Sequence, residues 1–224
     1  MVQKGYFFQF WFFGALILIY LCLPILKKFL NSKRRYLFML SFFVAIGLIF
    51  ELSNIILQMP LQSYIIQTFR LWTWFFYYIL GGLVAQFDKD IIKNAFKRWM
   101  KIVSILLVLI SPVILFFIAK TIYHNLFAEY FYDILFVKIV TLGIFLTVFT
   151  LDLNGDKSKW IVYLSNQTMG VFIIHTYVMK ILEKLIGFSF TGAYLLFPIF
   201  TFVVSFLAVG ILMKIPYFNR IVKL

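Results

Sequence analysis

Residues 101–120 read KIVSILLVLISPVILFFIAK, eighteen residues without a charge, closed at each end by a lysine. A helix rises about 1.5 Å per residue, so this stretch is about 27 Å long, close to the roughly 30 Å hydrocarbon core of a bilayer. It has no polar face to offer water, and lysine at each end suits the two headgroup layers. Working outward, six more apolar stretches of similar length stand at about 6–26, 37–57, 68–87, 132–151, 161–182 and 193–213. Pro24, Pro112, Pro198 and Pro216 fall at span ends or at kinks. The apolar runs are continuous rather than alternating, which excludes a β-barrel. The pattern predicts an all-α, polytopic transmembrane helix bundle of about seven spans. It forms a single membrane domain over residues 1–224, with no internal repeat, soluble domain or low-complexity linker.

Composition agrees. The chain is 64% hydrophobic and 13% charged, with mean hydropathy +1.00. A soluble domain must cover its core with polar surface and is nearer half apolar. The 30 Phe, 13 Tyr and 5 Trp fit helices that meet both hydrocarbon and the headgroup belt. The net charge of +13 would suggest nucleic acid in a soluble protein. Here the basic residues sit in short loops between apolar runs, where positive-inside topology explains them better. Cys22 is the single cysteine, which excludes an internal disulfide and a thiolate metal cluster. Bulky Leu21 before it speaks against a lipobox, and the first apolar stretch lacks a small-x-small cleavage site, so it reads as a retained span.

Lysine and arginine set the orientation. Alternate segments hold Lys27, Lys28, Lys33, Arg34 and Arg35, then Lys89, Lys93, Lys97, Arg98 and Lys101, then Lys157 and Lys159, then Lys214, Arg220 and Lys223. That makes fifteen, against six on the other side: Lys4, Arg70, Lys120, Lys138, Lys180 and Lys184. The expected topology is N-terminus outside, C-terminus in the cytoplasm.

Three stretches together resemble acyltransferase family 3, the bacterial membrane acyltransferases that O-acylate cell-surface glycans. The opening Gln9-Phe10-Trp11-Phe12-Phe13-Gly14-Ala15-Leu16-Ile17, running on through Tyr20 to Pro24, is similar to that family's "HLWFL-ALI…Y…P" span. Trp72 to Gly82, WTWFFYYILGG, resembles its aromatic run closing on two glycines. Leu164-Ser165-Asn166-Gln167-Thr168-Met169-Gly170-Val171-Phe172-Ile173-Ile174-His175 resembles "LSxxSFGIYLIH", and Lys214-Ile215-Pro216-Tyr217 the family's "kiP" ending. Members of that family carry about ten spans with both ends cytoplasmic; seven spans beginning outside, the order the charge count gives, match the last seven.

The resemblance implies a membrane acyltransferase, most simply an O-acetyltransferase. It would move an acyl group from acetyl-CoA or another acyl-CoA to a hydroxyl of a cell-surface polysaccharide or its lipid-linked precursor. It implies the bacterial plasma membrane, no bound cofactor and no metal. The family's catalytic histidine and basic partner belong to opening spans that no stretch here matches, and Gln9 stands where the family has His. The chain therefore reads as a fragment, incomplete as it stands, or as one completed by a second chain that supplies the missing spans.

Read by depth, several polar residues share one zone. His175 lies fourteen residues into its span, roughly 21 Å from the cytoplasmic end. Glu51 is as far along the second span, Lys138 sits near the outer end of the fifth, and Arg70 and Asp133 mark outer span ends. Asn54, Gln58, Gln9 and Gln67 fall in the same outer half. Ionisable groups at such depth are costly unless paired, so a polar cavity with Glu51 paired to Lys138 or Arg70 is one reading. His175, Glu51, Lys138 and Arg70 are then substrate-binding candidates. The other reading has Arg70 and Lys138 snorkelling to headgroups, Glu51 protonated or paired structurally, and His175 a neutral packing residue. His124, beside Asn125 in an outer loop, reads as solvated.

Lys93, Lys97 and Lys101 fall at i, i+4 and i+8, one face of a helix over 89–101 lying on anionic lipid. Lys93, Lys97 and Arg98 are also the donor-binding candidates, facing coenzyme A phosphates. Gly81-Gly82 suits close helix contact better than a phosphate cradle. No phosphate-loop, zinc or nucleophile-elbow spacing occurs. A glycan or lipid transporter is the alternative, but it asks for ionisable groups at several depths, and here they cluster outside. A receptor-like seven-span protein matches the topology alone.

Overall fold

The computed structural model describes residues 10–124, 128–151, 156–186, 193–215 and 217. Gln9, Asn125, Pro216, Arg220 and Lys223, singled out above, lie outside the described residues. Eight helices carry the described chain: α1 (Trp11–Phe29), α2 (Lys33–Leu57), α3 (Leu71–Val84), α4 (Lys89–Ala95), α5 (Arg98–Thr121), α6 (Leu135–Phe149), α7 (Asp156–Ile186) and α8 (Ala193–Leu212). Short 3-10 turns stand at Leu61–Tyr64, Gln67–Phe69 and Ala128–Asp133. Among the described residues there is no strand. Each of the seven apolar stretches coincides with a helix, so the all-α reading holds. Three of them, α1, α2 and α5, are long and apolar enough to cross a membrane; α3, α6 and the apolar part of α8 are shorter.

Two compact units divide the chain, Met1–Leu151 and Asp152–Leu224. In the first, α2 packs on α3, α5 on α6, and α1 on the Gln67–Phe69 turn and α3. Leu26, Leu40, Phe43, Phe76, Ile79 and Leu83 form the core where α1, α2 and α3 meet, with Cys22 half-buried against it. Stacked rings tie the elements together: Trp11 on Trp74 with centroids 4.6 Å apart, and Phe50 on Trp72 at 4.7 Å. In the second unit α7 packs along α8 through Val171 and Val209.

Pro112 lies inside α5 and has no N–H for the Val108 carbonyl one turn back. The Ser111 hydroxyl donates to that carbonyl at 2.9 Å, so the kink leaves no orphan acceptor in an apolar helix. Close approach of α5 to α6 rests on Gly143. A Cβ there would meet the Ser104 Oγ at 2.6 Å, and Ser104 is itself fixed by donating to the Met100 carbonyl at 2.8 Å. Gly143→Leu is expected to overpack this contact and cost about 1–3 kcal/mol. A thermal midpoint in detergent unchanged from the parent chain would show that α6 can simply slide away.

The helix expected over 89–101 is interrupted. The Asp88 carboxylate caps α4 by accepting the Asp90 N–H at 2.9 Å, and α4 ends where Phe96 and Lys97 leave helical geometry. Phe96, at the break, is buried, 7% exposed, while Lys97 beside it is exposed. Lys93 and Lys101 therefore belong to different helices, and the single basic face does not form.

Candidate functional site

The polar residues of the first unit converge where the end of α2, the 58–70 connection and the start of α6 meet. Asn54, in the last turn of α2, is 1% exposed and organises the connection. Its amide donates to Gln62 Oε1 at 2.7 Å, and its Oδ1 accepts the Leu61 N–H at 2.9 Å. Gln58 ends α2 with φ 52°, a left-handed geometry in which the chain can turn back. Arg70 closes the same connection from its far end. It is 1% exposed, and donates through Nε to the Ile65 carbonyl at 3.1 Å and through Nη2 to the Gln62 carbonyl at 2.7 Å. It does not snorkel, because the folded loop supplies acceptors that headgroups would otherwise provide.

Glu51 reaches from α2 to the start of α6, where its Oε2 accepts the Leu135 N–H at 3.1 Å. That is an N-terminal cap supplied by another helix, satisfying a backbone donor the helix cannot satisfy itself. Lys138 folds back along α6 to donate to the Asp133 carbonyl at 2.7 Å, with its ammonium 5.3 Å from the Phe76 ring centroid. Gly47 makes room for it: a Cβ at Gly47 would collide with the Lys138 Nζ. Glu51 and Lys138 thus share a neighbourhood and feel each other's charge, but each is held by the backbone around the start of α6 rather than by the other.

Asp133 is 2% exposed, and Lys138 and Arg70 are the opposite charges acting on it. The Trp72 N–H and the Gln62 amide face its carboxylate, but among the described residues neither oxygen is in a close, well-aligned hydrogen bond, and the buried Thr73 hydroxyl has no such bond either. Tyr123, just past α5, places its phenol by Asn54 and Glu51. Burial pushes that phenol above its ordinary value of 10.0, against the hydrogen bond with Asn54, and the Glu51 charge pushes the same way. It stays a neutral donor at working pH. Buried acceptors and donors with unused capacity, next to two fixed cations, make a setting that suits hydroxyl-rich ligands.

Sequence reasoning missed Gln62, Trp72, Thr73 and Tyr123. A glutamine in a short loop looks solvated, and only the fold shows Gln62 at 1% exposure. His175 belongs to the second unit. Its Nδ1 lies 2.7 Å from the Phe172 carbonyl and 3.2 Å from that of Val171, so Nδ1 carries a proton and donates to the backbone. In that unit Gln167 and Ser205 are fully buried.

Of the donor-binding candidates, Lys93 is half-buried on α4, while Lys97 and Arg98 are exposed at the start of α5. Their neighbours Lys89 and Lys101 have another task. They donate to the Leu151 and Thr150 carbonyls, at 3.1 and 3.4 Å, and so close the C-terminal end of α6 with positive charge. Among the described residues no group of three His, Cys, Asp or Glu is placed to hold a metal ion.

A family model described as an acyltransferase domain matches residues 1–213. No curated protein and no solved structure matches the chain.

Proposed function

The chain belongs to acyltransferase family 3, and on that premise we propose that it works in moving an acyl group, most simply acetyl, from an acyl-CoA to a hydroxyl of a cell-surface polysaccharide or its lipid-linked precursor. In this reading the chain crosses the bacterial plasma membrane seven times, N-terminus outside and C-terminus in the cytoplasm. The acceptor hydroxyl attacks the thioester carbonyl; a C–O bond forms, the C–S bond breaks, and coenzyme A leaves as the thiol with the hydroxyl's proton. Lys93, Lys97 and Arg98 meet the donor's phosphates on the inner side. The polar cluster of the first unit, with Glu51, Arg70 and Lys138, meets the acceptor's hydroxyls; His175, in the second unit, is a separate substrate-binding candidate.

The observation that carries the reading is the buried Asp133 carboxylate, neither oxygen of which is in a close, well-aligned hydrogen bond among the described residues, with Arg70 and Lys138 as the opposite charges acting on it. A lipid-facing scaffold gains nothing from such a group. No proton transfer is assigned to Glu51 or Lys138, each of which is held by backbone groups at the start of α6. The test is the O-acyl content of the surface polysaccharide in cells lacking the chain. We expect it to be lost, to return with the parent gene, and to return by less than about a tenth with Asp133→Ala. Unchanged O-acylation in the deletion would end the assignment.

A further inference from the structure

Between α1 and α3 the first unit leaves two cavities that share Tyr78. One, of about 470 Å³, is lined by Leu23, Leu26, Lys27, Leu30 and Tyr36 among others; the second, of about 260 Å³, by Phe12, Ala15, Ile19, Trp74 and Tyr77. On α1 the lining side chains Phe12, Ala15, Ile19, Leu23 and Lys27 follow at three- and four-residue steps, a single stripe of the helix. Fifteen helical rises from Phe12 to Lys27 make this stripe about 22 Å long, more than the roughly 15 Å depth of one leaflet. The α1 side chains are apolar until Lys27; α3 adds the rings of Trp74, Tyr77 and Tyr78, and α2 brings the Tyr36 hydroxyl to the Lys27 end. Tyr36 is set there by packing on Gly82, where a Cβ would stand 3.1 Å from its ring.

The charge at that end is of one sign. Lys27, Lys28, Lys33, Arg34 and Arg35 lie within nine residues, and the first acidic residue of the chain is Glu51. Two of these cations are engaged elsewhere. Lys33 stands over the Phe87 ring at 4.2 Å, and Arg35 donates to the Phe29 carbonyl at 3.2 Å. Lys27 instead lines the cavity.

We propose that this groove seats one acyl chain of an anionic phospholipid, with its phosphate at Lys27 and the Tyr36 hydroxyl. The length of the stripe, its single polar end and the uniform positive charge there all complement such a lipid. The inference is independent of the transfer reaction assigned above.

The test is native mass spectrometry of the full chain in mild detergent, with phosphatidylglycerol or phosphatidylcholine added. Phosphatidylglycerol adducts are expected to survive and phosphatidylcholine adducts to be lost. Lys27→Ala should weaken retention about fivefold, the effect of one cation near an anionic headgroup. Lys28→Ala, beside it in the last turn of α1 but off the groove, should leave it unchanged. Ile19→Trp, which fills the stripe, should abolish retention; its melting curve, compared with that of the exposed-site Lys27→Ala variant, separates loss of the lipid from loss of the fold. Equal retention by the parent chain and Lys27→Ala overturns the proposal, as does equal retention of the two lipids. A lipid-free dimer would assign the groove to a second copy, and displacement of the lipid by coenzyme A would assign it to the donor; either overturns it too.

Discussion

Replacing Arg70 with alanine should lower the stability of the full chain by about 3–5 kcal/mol. The guanidinium is buried and holds two carbonyls of the 58–70 connection, those of Ile65 and Gln62. Hydrogen bonds from a charged donor contribute about 1.5–3 kcal/mol each, and two buried acceptors would be left unsatisfied. The Asp133 carboxylate would also lose one of its two compensating charges. Arg70→Lys should recover only part of the loss, since one ammonium does not reproduce a planar fork. Thermal unfolding in detergent reads the effect. An Arg70→Ala chain melting with its parent would mean that Asn54 alone holds the connection.

A second large effect is expected at Lys138. Lys138→Met should cost about 3–5 kcal/mol, because Asp133 would remain buried with less compensation. Asp133→Asn should be destabilising as well, leaving the lysine with only its carbonyl contact and Glu51 nearby. The double variant should be more stable than the sum of the singles predicts, by about 2 kcal/mol within the usual range for contacting groups. Additive losses, to within about 0.5 kcal/mol, would show that the two groups do not act on each other.

Hydropathy made the helices legible, because an apolar run of about twenty residues has few ways to satisfy its backbone in lipid other than by coiling. The helix ends were less legible. The third and fifth apolar runs begin at residues 68 and 132, yet α3 starts at Leu71 and α6 at Leu135. In both, a 3-10 turn takes the first residues, and apolar content does not distinguish a turn from a helix. The polar zone was visible as a set of depths, which brought Glu51, Arg70, Asp133 and Lys138 together in advance. Their partners were not visible. Glu51 takes a backbone N–H and Lys138 a backbone carbonyl. Backbone groups are the same at every position of a sequence, so only the fold reveals which are left over. The i, i+4, i+8 lysines failed for a related reason: spacing assumes an unbroken helix, and the chain leaves helical geometry at Phe96 and Lys97.

The shortness of α3 and α6 has a bearing on how far a transferred group would have to travel. Fourteen and fifteen residues of helix reach only about 21–23 Å, some 8 Å less than the hydrocarbon is thick. In the proposed seven-span arrangement, thinning of the bilayer, snorkelling side chains or the flanking 3-10 turns would take up that difference, because the pinned ends of α6, with Glu51 at one and Lys89 and Lys101 at the other, keep the helix itself from lengthening. On the proposed reaction, a donor and an acceptor on opposite faces would then be separated by less than a full membrane.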